Sequence, residues 1–256
     1  MLNPFFVTDC PPPFRFNPRT MSQLFCFGHR GAAGHEPENT LRSIRRALEL
    51  GAHGVEVDVH FVDGQLVVIH DDTLRRTTNG SGRVANKSFA HLRTLDAGFG
   101  ERIPTLPEVF DTVAHRGVIN VELKGPHTAA PVAALITDHV ERRGWRWEEF
   151  LVSSFDHDQI TEAKQLAPAL RIAALIMRVP RGLAAGAEQL GACAINPSLR
   201  AVTPALVADA HRRGMKVFVF TVNEPADIAR MSLLGVDGVF SNFPERVVGS
   251  PLSSAE

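Results

Sequence analysis

In HGVEVDVH (residues 53–60), Val55, Val57 and Val59 alternate with Glu56, Asp58 and His60. Strand side chains alternate between faces, so the valines share one face and the carboxylates the other, roughly 7 Å apart along the chain. VINVELK (118–124) repeats the pattern, with Asn120, Glu122 and Lys124 on one face and Val121 and Leu123 on the other. Carboxylates crowded on one face repel unless a cation lies among them. Glu56, Asp58 and Glu122, supplied by neighbouring strands, would make a hard, oxygen-rich site. It suits one divalent cation, Mg2+ or Ca2+, better than Zn2+. A layer of salt bridges with Arg30 and Lys124 is the competing reading.

Two histidines are candidate acid/base groups. His29 ends the apolar run LFCF, and His70 follows the run QLVVI. Histidine is the side chain that titrates near neutral pH, so either could move a proton. Arg30 and Lys124 add positive charge beside the acids; arginine can hold a phosphate through two parallel hydrogen bonds, and lysine supplies a point charge. A metal, a guanidinium and an ammonium around one cavity describe a phosphoryl site. Glu38, Asn39 and Thr40 precede the helical stripe Leu41, Ile44 and Leu48. Capping is the expected work of Asn39 or Thr40; Glu38 is a supporting partner for Arg30 or a histidine, and Asn39 is also a candidate supporting residue behind the site. His35, His53, His60 and His91 lack such company and are expected to be structural.

These residues need a scaffold that gathers strand ends. From residue 24 onward, short β-branched runs alternate with stretches of helical period. Strand candidates are 24–29, 53–60, 118–124, 150–155, 171–177, 192–197, 216–222 and 238–243; helical patterns include 40–50 and 203–214. This rhythm predicts an α/β fold, a single (β/α)8 TIM barrel, whose chemistry lies at the C-terminal ends of its strands. A doubly wound sheet is the alternative, but the GxGxxG turn of its dinucleotide-binding versions is absent. After the second strand, Asp63-Gly64 predicts a hairpin. With a two-residue turn, partner numbers sum to about 127, which returns His70 to the level of Glu56 and Asp58. An inserted segment follows, at about residues 71–104, long enough to expect a function.

Residues 1–22 are rich in Pro and Phe without periodicity and are read as an irregular arm. Met21 is a candidate true start. Residues 23–256 are expected to form the single domain. The net charge is −1, so no basic field attracts nucleic acid or anionic membrane. No membrane span or signal peptide is expected. Cys10, Cys26 and Cys193 are scattered and show no metal spacing. They favour a reducing, cytoplasmic location. A homodimer is compatible with the sequence.

Taken together, HRG (29–31), PENT (37–40), VEVDV (55–59), HDDTLRRTTNGSG (70–82), LDAG (95–98), IPTLPEV (103–109), VELK (121–124), SSF (153–155), FTVNEP (220–225) and GVDGVFSNFP (235–244) resemble the glycerophosphodiester phosphodiesterase family. The resemblance spans about residues 24–248 and keeps the family's motif order. It implies a TIM barrel with an insertion after the second strand. It also implies hydrolysis of small glycerophosphodiesters, such as glycerophosphocholine, to sn-glycerol 3-phosphate and an alcohol. The family's metal carboxylates fall on Glu56, Asp58 and Glu122, its acid/base pair on His29 and His70, and its phosphate contacts on Arg30 and Lys124. Phe220 stands where the family often has Trp against the glycerol; it keeps an apolar wall without the indole donor. Asn242 replaces a frequent acid and is expected to tune the end of the last strand. Rival readings are a phospholipase D-like barrel acting on lysophospholipids and a catalytically silent phosphate-binding barrel. A Ser153-Ser154 nucleophile with His157 is weaker, because no nucleophile-elbow glycines flank it.

Overall fold

The computed structural model describes residues 24–249; the proposed arm at 1–22, Met21 and Cys10 lie outside them. Among the described residues, nine strands form one sheet: β1 (Phe25–Gly28), β2 (Gly54–Val62), β3 (Gln65–Val68), β4 (Val118–Leu123), β5 (Phe150–Ser154), β6 (Ile172–Ile176), β7 (Ala194–Pro197), β8 (Lys216–Val219) and β9 (Gly238–Ser241). The order is β1-β9-β8-β7-β6-β5-β4-β2-β3, and β1 also pairs with β2. Eight parallel strands therefore close on themselves into a TIM barrel. β3 is the antiparallel return of the hairpin.

Alternation sorts the strand residues into two cores. Val55, Val57, Val59, Ile119 and Val121 face outward against the helices, with Ile44 and Phe110 among their partners. Phe25, Phe27, Leu151, Ala173, Ala194, Phe218 and Phe240 form a separate cluster inside the barrel. Phe27 stacks on Phe240 with ring centroids 4.9 Å apart and meets Phe218 edge-on at 5.4 Å. Large aromatics on some strands face alanines on others, which fills the barrel. Hence the barrel is a packed core below and a polar mouth above.

The hairpin turns at Asp63 and Gly64, both with positive φ (50° and 74°). This backbone twist matches that of the flanking strands. Pairing runs Val62↔Gln65 to Val59↔Val68, the expected register. Strand pairing ends at Val68, but the Ile69 N–H still donates to the Asp58 carbonyl at 3.0 Å. His70 is thus delivered to the rim beside the acids of β2. The insertion has its own apolar cluster, including Val67, Ile69, Leu74, Val84, Leu92 and Ile103. It docks through Arg93, which pairs with Glu108 at 2.7 Å. Glu108 also completes a capping box with Thr105 on helix Leu106–Val113. Among the described residues, no helix is long and apolar enough to cross a membrane.

The turn after β1 is held by close backbone approach. Gly31 has φ +81°, and a Cβ there would sit 2.5 Å from the Ser43 carbonyl carbon. Gly31→Ala is expected to cost about 2–5 kcal/mol, combining left-handed strain with overpacking. Urea unfolding should show a lower midpoint with an unchanged slope.

Candidate active site

Helix Leu41–Glu49 fixes the first wall. Thr40 is its N-cap, accepting from the Ser43 N–H. Asn39 is not a cap. It adopts φ 58°, a conformation asparagine tolerates, and its amide donates to Asp58 Oδ2 at 2.9 Å. The Asp58 N–H donates back to Asn39 Oδ1 at 3.3 Å. The capping expectation for Asn39 is therefore corrected: left-handed backbone turns the side chain toward the acid of β2. Arg30 also has positive φ, 53°. Its N–H donates to Glu56 Oε2 at 2.8 Å, and its carbonyl accepts from Ser43 Oγ at 2.9 Å. The guanidinium meets Glu38 at 2.8 Å and Asp58 at 3.3 Å.

Glu56, Asp58 and Glu122 each offer an oxygen, and these lie within 4.8 Å of one another. Register explains it, because Asp58 pairs directly with Glu122 across β2 and β4. Asp58 is fully buried and Glu56 3% exposed. Desolvation, reinforced by Asp58 and Glu122, pushes the Glu56 carboxyl well above its ordinary value. Glu122 is pushed up to about 7 by burial and by Asp58. The competing salt-bridge layer is present in part: Lys124 Nζ lies 2.9 Å from Glu122 and Arg30 touches Asp58. Yet Glu56 Oε1 and Asp58 Oδ1 are buried without a hydrogen-bond partner. Orphaned carboxylate oxygens are costly, and a hard cation satisfies them. The three acids can hold a metal ion.

The histidines sit in unlike settings. His29 Nδ1 lies 2.7 Å from Asn242 Oδ1. An amide oxygen only accepts, so Nδ1 carries the proton and Nε2 a lone pair. The ring is lowered to about 4, by desolvation first and then by Arg30. The expectation that His29 titrates near neutrality is corrected: its neighbours remove water and supply a cation, so it is neutral at pH 7. His70 Nδ1 instead meets the Asp71 carboxylate at 2.6 Å. Asp71 is itself held far below the usual carboxylate range, chiefly by Arg76.

Residues 29–246 match the model of the glycerophosphoryl diester phosphodiesterase family. A glycerophosphodiester phosphodiesterase of Caldanaerobacter subterraneus subsp. tengcongensis is 36% identical over 233 residues, covering 86% of this chain and 94% of that protein. Another, of Bacillus altitudinis, is 36% identical and covers 87% and 96%. A phosphodiesterase of Oleispira antarctica, solved with the product sn-glycerol-3-phosphate, superposes with a TM-score of 0.81 at 30% identity, covering 88% and 95%. The chain belongs to the glycerophosphoryl diester phosphodiesterase family.

Within that family frame, several further placements matter. Phe220 meets Phe155 edge-on at 5.7 Å, and Lys124 Nζ lies 5.8 Å from the Phe155 ring centre. Phe155 was legible only as the end of a strand motif; here it extends the apolar wall toward Lys124. His60 Nε2 lies 3.3 Å from the His70 carbonyl and steadies that backbone. His35 pairs with Glu245, and His53 Nδ1 accepts from the Cys26 N–H. Ser153 Oγ accepts from Asn120, Ser154 Oγ donates to the Leu123 carbonyl, and His157 Nε2 meets the Leu175 carbonyl. No serine–histidine pair forms among these three. Arg76, which the sequence left inside a motif, bonds both Asp71 and Glu38.

Asn242, expected merely to tune a strand end, is the partner of His29. Asn242→Asp replaces an amide with a carboxylate beside Nδ1, and an adjacent negative charge favours the imidazolium. The ring should move up from about 4 to about 6.5 or above. At pH 6 much of His29 would then be protonated and unable to accept a proton. NMR titration of the ring in the metal-free protein reads the shift directly.

Proposed function

We propose that this chain hydrolyses small glycerophosphodiesters, such as glycerophosphocholine or glycerophosphoethanolamine, to sn-glycerol 3-phosphate and an alcohol, using His29 as base and His70 as acid. The observation that carries this reading is the meeting of three carboxylates, two of them with unpartnered buried oxygens, with two differently partnered histidines at one barrel mouth. Glu56, Asp58 and Glu122 would hold one divalent cation, Mg2+ or Ca2+. When bound, the ion acts as a Lewis acid that stabilises charge developing on phosphate oxygen.

Arg30 and Lys124 offer donors to the remaining phosphate oxygens, by a fork and by a point charge. Their present carboxylate contacts keep them charged: burial opposes the charge on each, but Asp58, Glu56 and Glu38 together outweigh it at Arg30, and Glu122, Asp58 and Glu56 together do so at Lys124. Neutral His29, with Nδ1–H fixed on Asn242, presents Nε2 to take the proton of the attacking group, which is either water or the glycerol 2-hydroxyl, whose cyclic phosphate water then opens. His70, with Nδ1–H on Asp71, gives its Nε2 proton to the departing alkoxide. Two titratable groups in contrasting environments divide acid and base work. Phe220 and Phe155 form an apolar wall for the carbon skeleton of the glycerol. The working compartment is the cytoplasm, in keeping with the free, buried thiol of Cys26.

The experiment is a substrate panel against several cations, read by release of glycerol 3-phosphate. Cation-dependent release from glycerophosphocholine or glycerophosphoethanolamine supports the proposal. Turnover confined to lysophospholipids would replace it with the phospholipase D-like reading.

A further inference from the structure

Arg76 lies in the insertion, beyond the strands that carry the site, and its guanidinium makes four hydrogen bonds in two directions. Toward Asp71, Nε reaches Oδ2 at 2.7 Å and Nη2 reaches Oδ1 at 2.8 Å. Toward Glu38, Nη1 reaches Oε2 at 2.6 Å and Nη2 reaches Oε1 at 2.8 Å. Each carboxylate has a second client in the site. Asp71 holds His70 Nδ1 at 2.6 Å. Glu38 holds the Arg30 guanidinium at 2.8 Å. One planar fork thus ties a histidine on the returning hairpin to an arginine on the first turn of the barrel.

We infer that Arg76 is a positioning residue, which sets the orientation of His70 through Asp71 and of Arg30 through Glu38. The inference rests on the acid role given above to His70. Geometry supports it in three ways. Paired N–H···O bonds fix a carboxylate's plane as well as its distance. Asp71 has no other side-chain anchor among its described hydrogen bonds, so without Arg76 it is free to rotate about its own χ angles and take His70 with it. Glu38 is drawn in two directions. Burial alone would raise its carboxyl, yet Arg76 and Arg30 outweigh burial and keep it ionised. An ionised Glu38 holds Arg30 by charge as well as by a hydrogen bond. Lysine cannot reproduce this arrangement, since a point charge satisfies one carboxylate without fixing the plane of either.

Arg76 also lines a cleft of about 550 Å3 with Thr77, Thr78 and Asn79. A small cation can therefore reach the space that its removal would leave. This permits a test that a merely structural role would not pass. Loss of an orienting partner typically costs about 10–100-fold in activity. Arg76→Ala should lower kcat on glycerophosphocholine in that range and also raise KM. Millimolar guanidinium should restore at least a few-fold of the kcat, while methylammonium should not. Arg76→Lys should remain folded, retain a kcat defect and ignore guanidinium. Placed in a His70→Ala background, Arg76→Ala should keep only the loss that runs through Glu38 and Arg30, so the double variant should lose clearly less than the product of the two single losses; coupled residues are non-additive in this way.

Independent, multiplying losses in the double variant would overturn the inference, as would an Arg76→Ala kcat within a factor of about three of wild type. Failure of guanidinium to rescue a folded Arg76→Ala would do the same. If Arg76→Ala does not fold, Arg76→Lys alone decides, and wild-type kcat in that variant refutes the proposal. Failure of the functional reading would look different, since His70→Ala itself would then keep normal turnover.

Discussion

Glu56→Gln is expected to cut cation-dependent turnover severely and, in the same protein, to raise the melting temperature without metal. The two effects have opposite signs because the same charge serves the ion and burdens the fold. Glu56 Oε2 accepts the Arg30 N–H at 2.8 Å, and a glutamine carbonyl can keep that bond. Glu56 Oε1 is buried and unpartnered, so what the substitution removes is an uncompensated negative charge near Asp58 and Glu122. Replacing such a group is expected to stabilise by about 1–3 kcal/mol. For a chain of this size that is roughly 2–10 °C. Activity should fall by about 10²–10⁴-fold, several kcal/mol of charge stabilisation at 1.36 kcal/mol per tenfold.

The pH dependence of that stability difference provides a check. Glu122 is raised to about 7 in the folded chain, and Glu56 is raised as well. A folded state with raised carboxyl values binds more protons than the unfolded chain between the two values. Its contribution to stability is present below the unfolded value and is lost as pH rises through the folded one. Metal-free wild type should therefore approach Glu56→Gln in melting temperature at pH 5 and fall below it at pH 8. Added Mg2+ or Ca2+ should reverse the order at pH 8, because the ion competes with protons for the same oxygens. Equal melting temperatures at pH 8 without metal, or no metal-induced rise in wild type, would refute the site.

The acids and the barrel were legible because both are local. Alternation of valine with acid in VEVDV and VELK assigns faces without any tertiary knowledge, and parallel register then sets Asp58 beside Glu122. Asp63-Gly64 fixed the hairpin register and with it the level of His70. What stayed hidden was set by long-range return of the chain. Asn242 meets His29 from the far end of the sequence, and nothing near either residue signals the pairing. Arg76 lies among Thr, Arg and Asn in a segment without periodicity. Its partnership with Glu38 depends on how the insertion folds back onto the first turn. Asn39 was half legible: beside Thr40 it reads as a cap as well as a supporting residue, and its positive φ decides between the two by aiming the side chain at Asp58. Local pattern thus gave the charges, whereas the proposed protonation roles rest on distant neighbours.

Those roles make the second large prediction directional. His29→Ala and His70→Ala should each lose about 10²–10⁴-fold on glycerophosphocholine, the usual scale for general acid–base catalysis. The two losses should part company on a p-nitrophenyl ester of glycerol 3-phosphate, whose leaving group needs no proton. In the proposed mechanism His70, oriented by a carboxylate, donates to the leaving group, so His70→Ala should regain most of its activity on the activated ester. His29 is oriented by a neutral amide, kept unprotonated down to about pH 4 by burial and Arg30, and accepts a proton early. His29→Ala should remain impaired on both substrates. Rescue of His29→Ala with no rescue of His70→Ala would exchange the roles, and the neutral Asn242 would then be supporting an acid. Near-normal turnover by both variants would remove the histidines from the mechanism altogether and leave Asp71 and Asn242 as partners without catalytic purpose.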